Sequence, residues 1–183
     1  MFAIVREHFG HLDLLVLNAS DGLEGNRDED YAMRINLTAQ TRAVDLALPL
    51  MPDGGRVVFF TSHLAHFLGE EPVYPAYEPV AASKKSGEDA LRSLIPELRA
   101  RGISLVVVSG DVIEGTITPK LMERQSPGLL AARRRKAGRL PTVDDFARAV
   151  VDAAEDASLM SGATVFVGST EWETSEEKPA DST

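Results

Sequence analysis

"RVVFFTS", residues 56–62, decides the fold, because four apolar residues in a row stop abruptly at two small hydroxyl side chains. An uninterrupted apolar run of this length is typical of a strand buried on both faces of a parallel sheet, since a half-exposed strand alternates apolar and polar residues. Three other stretches share the pattern, namely "LDLLVLNAS" at 12–20, "ISLVVVSGD" at 103–111 and "ATVFVG" at 163–168. The sequence therefore predicts about four buried strands.

Helical patterns fill the intervals between these strands. They lie at residues 2–9, 29–51, 79–101, 116–136 and, after a Thr142–Asp145 capping box, along "VDDFARAVVDAA". Pro96 is expected to interrupt the third of these helices, because proline removes a helical hydrogen bond. Strands that alternate with helices form βαβ units with parallel strands. We therefore expect an α/β domain over residues 1–170 and a disordered acidic tail at 171–183.

The composition restricts the partners of the chain. Its 183 residues carry a net charge of −9, which disfavours binding to nucleic acid or to an anionic membrane. The basic run "RRRK" at 133–136 is interpreted as a solvated helix face, because no aromatic residues lie among its charges. No apolar run approaches the roughly 20 residues that cross a bilayer. The absence of cysteine excludes disulfides, and without a signal-peptide pattern we expect a cytoplasmic protein.

Small polar residues follow three of the four apolar runs. They read Asn18-Ala19-Ser20, Thr61-Ser62 and Ser109-Gly110-Asp111. In open parallel sheets, ligands bind in the crevice beyond the carboxyl ends of the strands. We therefore expect these three groups of residues to border a binding site.

"PAYEPVAASKKSGEDALR", residues 75–92, places Tyr77 seven residues before Lys84. Seven residues are close to two helical turns, but Pro79 favours the first turn of a helix, so Tyr77 is expected to precede the helix. If the phenol approaches the ammonium group, the positive charge lowers the pKa of Tyr77 from about 10, which suits an acid or base working near neutral pH. Alternatively, Tyr77 is a half-buried aromatic residue in a loop, in which case Tyr74 is the candidate proton donor. The alternative for Lys84 is an exposed lysine on the helix surface.

Two histidines and two acidic residues suggest metal binding or hydrolysis as other functions. His63 and His66 lie in one predicted loop without a convincing third ligand, whereas structural zinc takes four ligands. We expect them to line a pocket or to face water, and we expect no metal. Asp111 and Glu114 resemble a carboxylate pair for hydrolysis, but we interpret them as surface acids in a chain with 28 acidic residues.

Five short motifs, in this order, resemble the short-chain dehydrogenase/reductase family over most of residues 1–170. "LVLNAS" is similar to the family's Asn-Asn-Ala-Gly strand end and "MRINLTA" to its asparagine-bearing helix. "GRVVFFTS" resembles the strand that ends in the catalytic serine, "VVVSGDVIEGT" the turn that holds the nicotinamide carboxamide, and "MSGATVFVGS" the final strand. The Tyr-x6-Lys spacing resembles the divergent branch that includes bacterial enoyl-acyl-carrier-protein reductases.

The resemblance implies a Rossmann-like three-layer fold and an oxidoreductase that uses NAD or NADP. Hydride would move between nicotinamide and a small carbonyl, alcohol or enoyl substrate. The implied catalytic residues are Asn36, Ser62, Tyr77 and Lys84, in which Ser62 would bond the substrate oxygen and Asn36 would hold a water that relays a proton. The implied cofactor-binding residues are Asn18, Ala19, Lys84, Ser109, Gly110, Val112 and Thr116, with Ser109 in the place of the family's proline.

The sequence departs from the family where the pyrophosphate of the cofactor should bind. It contains no G-x-G-x-x-G or similar turn, since Gly54-Gly55 precedes a strand instead of following one. We therefore expect an N-terminally truncated chain that lacks the Gly-rich βαβ half, and that is inactive as given if that half is required. The first strand then forms an uncovered apolar edge, which predicts instability or a homo-oligomer. The alternative function is a non-catalytic remnant that acts through association with a partner or another copy.

Overall fold

The computed structural model describes residues 1–21, 23 and 30–171, so residues 172–183 of the predicted acidic tail lie outside the described part. The strands are β1 (Leu14–Leu17), β2 (Arg56–Ser62), β3 (Ser104–Gly110) and β4 (Thr164–Val167). They pair in the order β1-β2-β3-β4, and every neighbouring pair is parallel. The predicted α/β fold with a Rossmann-like parallel sheet of four strands is confirmed.

Helices connect the strands as the sequence predicts. They are α1 (Phe2–Phe9), α2 (Tyr31–Met33), a π-helical segment (Arg34–Thr38), α3 (Ala39–Ala47), a 3-10 turn (Leu48–Leu50), α4 (His63–His66), α5 (Glu78–Ser93), α6 (Ile95–Ala100), α7 (Ile117–Gln125), α8 (Leu129–Ala137) and α9 (Val143–Glu155). The break between α5 and α6 falls where Pro96 lacks the N–H that a continuous helix would use. Within the described residues, no helix combines the length and the apolar character that crossing a bilayer requires.

The central strands β2 and β3 are buried on both faces, which explains their apolar runs. Strand β1 is buried on one face only, with Leu14 and Val16 exposed, so it is not the fully buried strand that the sequence predicts. Successive side chains of a strand point to opposite faces. On one face Leu15, Val57 and Leu105 pack against Val44 of α3, Leu91 of α5 and Leu98 of α6. On the other face Val58 and Val106 pack against Phe146 and Ala153 of α9. The result is the predicted three-layer arrangement, with helices on either side of the sheet.

The predicted capping box orients α9 at its start. The Thr142 hydroxyl accepts a hydrogen bond from the Asp145 N–H at 3.2 Å, and the Asp145 carboxylate accepts one from the Thr142 N–H at 2.8 Å. Two of the N–H groups that a helix leaves unsatisfied at its N-terminus are therefore bonded. This end of α9 also brings Phe146 onto the sheet.

Strand β1 forms one edge of the sheet in the described part of the chain. Its Leu14 and Val16 side chains are 39% and 41% exposed, on the face opposite to Leu15 and Leu17. An apolar edge strand with unpaired backbone groups is a template for pairing with another chain. The expected association of copies stays a prediction.

Two glycines permit close contacts behind the carboxyl ends of the strands. A Cβ atom at Gly87 of α5 would lie 2.0 Å from the backbone oxygen of Asn36, in the π-helical segment. A Cβ atom at Gly110 would lie 1.5 Å from the Phe146 ring. Neither space admits a methyl group, so the helices α5 and α9 approach their neighbours only because these positions lack a side chain.

We predict that Gly87→Ala lowers the melting temperature, although alanine is normally better than glycine in a helix by roughly 0.5–1 kcal/mol. The added methyl group meets a backbone oxygen that cannot rotate away, and overpacking of this kind typically costs about 1–3 kcal/mol. Thermal unfolding followed by circular dichroism measures the change, with Ser86→Ala on the same helix as the control. A melting temperature raised by Gly87→Ala would contradict the close approach of α5 to Asn36.

Candidate active site

A cavity of about 250 Å³ opens at the carboxyl ends of β2 and β3, where the polar strand ends predict a binding site. Of the residues nominated from the sequence, it is lined by Ser62, Tyr77, Lys84, Gly110, Val112 and Thr116. Most of the remaining wall is apolar and includes Leu64, Val80 and Met122. The cavity thus combines a few polar groups with an apolar wall, which is typical of small-molecule sites.

Ser62 and Tyr77 meet at one side of this cavity. Ser62 is the last residue of β2 and the N-cap of α4, where its hydroxyl accepts a hydrogen bond from the Ala65 N–H at 3.3 Å. Tyr77 is the N-cap of α5, as Pro79 predicts, and its side chain is buried. The Ser62 Oγ and the Tyr77 hydroxyl oxygen are 3.2 Å apart, within hydrogen-bond distance. A strand end and a helix start therefore present two adjacent hydroxyl groups to the cavity.

The pKa of Tyr77 is raised from its ordinary value, because burial disfavours the charged phenolate. The hydrogen bond from Ser62 lowers the same pKa, but its effect is smaller than that of burial. The lowering expected from an adjacent Lys84 is not found. Tyr77 bonds Ser62, whereas the Lys84 ammonium group is directed to Ser20. At neutral pH the phenol therefore keeps its proton.

Lys84 lies in the second turn of α5, and its side chain is buried instead of lying on the exposed surface of the helix. Its Nζ donates a hydrogen bond to the Ser20 Oγ at 3.1 Å and lies 5.8 Å from the centre of the Phe60 ring. Burial lowers the pKa of Lys84 to about 8. The cavity therefore contains an ammonium group that is charged at pH 7 and titrates slightly above it.

Asn36 lies behind the cavity and does not line it. Its Nδ2 donates hydrogen bonds to the Asp21 oxygen at 2.8 Å and to the Ser83 Oγ at 2.9 Å. Its Oδ1 accepts a bond from the Asp21 N–H at 3.3 Å. The side chain thus ties the segment after β1 to α5, one residue before Lys84. Both amide hydrogens are used in this bridge, and the expected role of Asn36 in holding a water stays a prediction.

The residues near β1 and β3 that the sequence predicts to bind the cofactor differ in exposure. Asn18 and Ala19 are exposed directly after β1, and the Ala19 backbone oxygen accepts a bond from Gln40 at 2.6 Å. Ser109 is fully buried, and its Oγ is 2.9 Å from the Nδ1 of His63. None of these three side chains lines the cavity. After β1 the chain exposes backbone groups and the Asn18 amide, whereas Ser109 is part of the buried core.

The turn after β3 lines the cavity, but two of its hydrogen-bond donors already have partners within the turn. The Val112 N–H donates to the Oδ1 of Asp111 at 2.7 Å, and the Thr116 hydroxyl donates to the Ile113 oxygen at 3.0 Å. Ser62, Tyr77 and the ammonium group of Lys84 are the polar groups of this cavity that would hold the reactive end of a nicotinamide dinucleotide. The turn contributes to the shape of the cavity through Gly110, Val112 and Thr116.

Asp111, which lines the cavity, and its partner Arg133 differ from the sequence-based interpretation. Asp111 is 5% exposed instead of being a surface acid, and Arg133 of the "RRRK" run is 4% exposed instead of facing solvent. The two side chains form a buried ion pair between positions that are 22 residues apart. No local pattern signals this pair, because each residue has the composition of an ordinary surface segment and only the fold brings them together.

The two histidines occupy different environments. His63 lines the cavity, and burial lowers its pKa to about 4, so the ring is neutral at physiological pH. His66 is partly exposed and lies 2.7 Å, Nδ1 to Oε1, from the buried carboxylate of Glu88. In the described part of the chain, no group of three or more His, Asp or Glu side chains is arranged to hold a metal ion. Glu88 is a buried acid that the sequence analysis did not single out.

The chain matches the family model described as enoyl-(acyl carrier protein) reductase over residues 1–169. It is 30% identical to the 3-oxoacyl-[acyl-carrier-protein] reductase FabG of Haemophilus influenzae, covering 89% of this chain and 68% of the relative. It is 33% identical to the uncharacterized short-chain type dehydrogenase/reductase y4vI of Sinorhizobium fredii, covering 90% of this chain and 31% of the relative.

Among solved structures, the fold is similar to a blue fluorescent protein from a metagenomic library, in complex with NADPH. The two are 31% identical with a TM-score of 0.71, over 90% of this chain and 67% of that one. The chain thus spans about two thirds of the length of this structure and of FabG, and about a third of y4vI. With a family match over nearly the whole chain and relatives of this similarity, the protein belongs to the short-chain dehydrogenase/reductase family of oxidoreductases.

Proposed function

We propose that this chain carries the catalytic residues of an NAD- or NADP-dependent reductase that acts on a carbonyl or enoyl compound. The observation that carries the proposal is the pair of hydroxyl groups of Ser62 and Tyr77, 3.2 Å apart, beside a buried ammonium group at Lys84 in one cavity. The names of similar proteins support it, since FabG is a 3-oxoacyl-[acyl-carrier-protein] reductase and one neighbour holds NADPH.

Tyr77 is the proton donor in this proposal. Burial raises its pKa, so the phenol is protonated at neutral pH and can transfer its proton to a carbonyl oxygen. In the free site the Ser62 and Tyr77 hydroxyl groups share one hydrogen bond. With a substrate bound, the Ser62 hydroxyl would donate its hydrogen to the carbonyl oxygen instead, beside the Tyr77 hydroxyl. A bound nicotinamide dinucleotide would supply the hydride that the carbonyl carbon receives. The carbonyl becomes an alcohol, and Tyr77 regains its proton from solvent.

Lys84 supplies positive charge to this site. The group is buried with one hydrogen-bond partner, Ser20, among the described residues, so further N–H donors are available to the hydroxyl groups of a bound cofactor. In a site from which water is largely excluded, a fixed cation stabilises the negative charge that develops on the substrate oxygen. Lys84 therefore acts on the reaction by electrostatics and by cofactor binding.

The apolar wall favours uncharged substrates. Leu64, Val80, Ile117, Met122 and Phe146 line the same cavity as the hydroxyl pair, and the guanidinium group of Arg133 is engaged with Asp111. An uncharged ketone places its apolar parts against this wall and its oxygen at Ser62 and Tyr77. A carboxylate placed against this apolar wall, away from Lys84, would lose its hydration without gaining a partner.

A second candidate function is association without catalysis. It is supported by the exposed apolar edge at β1, where Leu14 and Val16 face solvent. Cofactor binding separates the two candidates, because a domain that acts only through association has no use for a buried ammonium group in an open cavity.

We predict that NADPH or NADH binds the purified chain saturably, measured by the change in nicotinamide fluorescence during titration. Lys84→Met should weaken this binding by about 10-fold or more, because a charge-assisted hydrogen bond contributes about 1.5–3 kcal/mol. Lys85→Met is the matched control, since the neighbouring lysine pairs with Asp89 on the surface. Absence of saturable binding of either dinucleotide to a folded chain would leave association as the remaining function.

We predict that Tyr77→Phe lowers the rate of NADPH-dependent reduction of ethyl acetoacetate by about 100-fold or more, the usual contribution of a positioned proton donor. Tyr74→Phe is the matched control, because Tyr74 packs against the same apolar cluster but does not line the cavity. The loss of NADPH absorbance measures both rates. Equal rates for the two variants would assign the proton transfer to another group.

We predict that kcat/KM for the same reduction is constant from pH 6 to 7 and falls as the pH rises through about 8, where Lys84 loses its proton. Burial favours the neutral amine, so this inflection lies below the value of about 10.4 for an exposed lysine. His63 adds no inflection in this range, because its pKa is about 4. Lys84→Met should remove the inflection from the remaining activity, and an unchanged profile would exclude Lys84 as its source.

A further inference from the structure

The helices α7 and α8 form a cover over the cavity, defined here as residues 117–137. Within α8 the buried residues are Leu129 and Arg133. Leu129 packs in the same apolar cluster as Tyr77 and Met122, and Met122 of α7 lines the cavity. The position of the cover therefore determines part of the cavity wall beside Tyr77, and Arg133 is the buried polar residue by which α8 is attached.

Arg133 joins its own helix to two other segments of the chain. Its Nε and Nη2 donate to the two carboxylate oxygens of Asp111, each at 2.9 Å, and the side chains are 3% and 1% exposed. It also donates to the backbone oxygens of Ser169, at 2.6 Å, and of Glu171. The planar guanidinium group suits such bidentate pairing, which a lysine cannot reproduce. One side chain thus joins the cover, the end of β3 and the chain after β4.

Asp111 is fixed to the sheet independently of Arg133. Its backbone N–H donates to the Val167 oxygen of β4 at 2.9 Å, and its Oδ1 accepts the Val112 N–H at 2.7 Å. The cover, in contrast, is bounded by Gly115 and Gly138, whose φ angles of 83° and 73° lie in the left-handed region. Glycines at both ends of a segment can absorb changes in backbone angles, as hinges do. Asp111 is therefore held by the sheet, whereas the glycines give the cover two ends at which its backbone angles can change.

We propose that Arg133 is a positioning residue whose ion pair with Asp111 fastens the cover to the sheet and so sets the cavity wall beside Tyr77. The pair is fully bonded, and removal of one partner leaves an uncompensated buried charge. Loss of the pair therefore releases the cover locally before it affects the strands. The attachment of the cover by Arg133 is independent of the proposed function, whereas its effect on substrate binding rests on that function.

The fastening is tested by hydrogen–deuterium exchange of the full chain with Arg133→Met. Peptides from the cover should exchange about 10-fold faster or more, while peptides from β2 and β3 keep their rates within about twofold. Arg134→Met on the same helix is the matched control, because Arg134 is 48% exposed and pairs with Glu114 at the surface. Unchanged exchange in the cover, or equal acceleration in the sheet, overturns the proposal.

Asp111→Asn provides a second variant that keeps the shape of the side chain and its bond to the Val112 N–H. It should accelerate exchange in the same cover peptides, and it decides the question if Arg133→Met does not fold.

Kinetics add a readout that a purely structural role would not move. In Arg133→Lys, the KM for ethyl acetoacetate should rise about 10-fold with kcat within about twofold, since Ser62, Tyr77 and Lys84 are untouched. A fall in kcat at constant KM overturns the positioning role, whereas a wild-type chain without any reductase activity but with the expected exchange pattern overturns only the proposed function.

Discussion

The parallel pairing of β2 with β3 is the constraint on which the rest of the molecule depends. Their seven paired positions run from Arg56 with Ser104 to Ser62 with Gly110, and both strands end at the same edge of the sheet. Every side chain on either face between these ends must be covered, which accounts for the helices on both sides. The polar residues that follow each strand are then forced together, and the cavity forms where they meet.

Much of the fold could be predicted because its signals are local. Apolar runs mark the four strands, and Pro79, Pro96 and Thr142 mark helix boundaries that the structure confirms. The contact of Ser62 with Tyr77 could be predicted only from the family resemblance, because no periodicity in the sequence relates the end of a strand to the start of a later helix. The pair of Asp111 with Arg133 could not be predicted, because it joins segments that have no pattern in common and that only tertiary packing brings together.

Burial controls the electrostatics of the candidate site. It lowers the pKa of Lys84 to about 8 and that of His63 to about 4, and it raises the pKa of Tyr77. In each case the neutral form is favoured, since an apolar surrounding disfavours charge. The sequence alone suggests the opposite direction for Tyr77, because it shows the neighbouring lysine but not the degree of burial. The site thus holds a protonated phenol and a weakly held ammonium proton near neutral pH.

The contact between Gly110 and the Phe146 ring has a consequence for altering the selectivity of this protein. The ring packs in the apolar layer between α9 and the sheet, and it also borders the cavity. A smaller side chain at Phe146 would enlarge the space for a ligand but would open a void in the core at the same time. Ligand size and thermal robustness are therefore coupled at this position, and engineering of a roomier pocket would require a compensating larger residue nearby, with Gly110 as the adjacent position to explore.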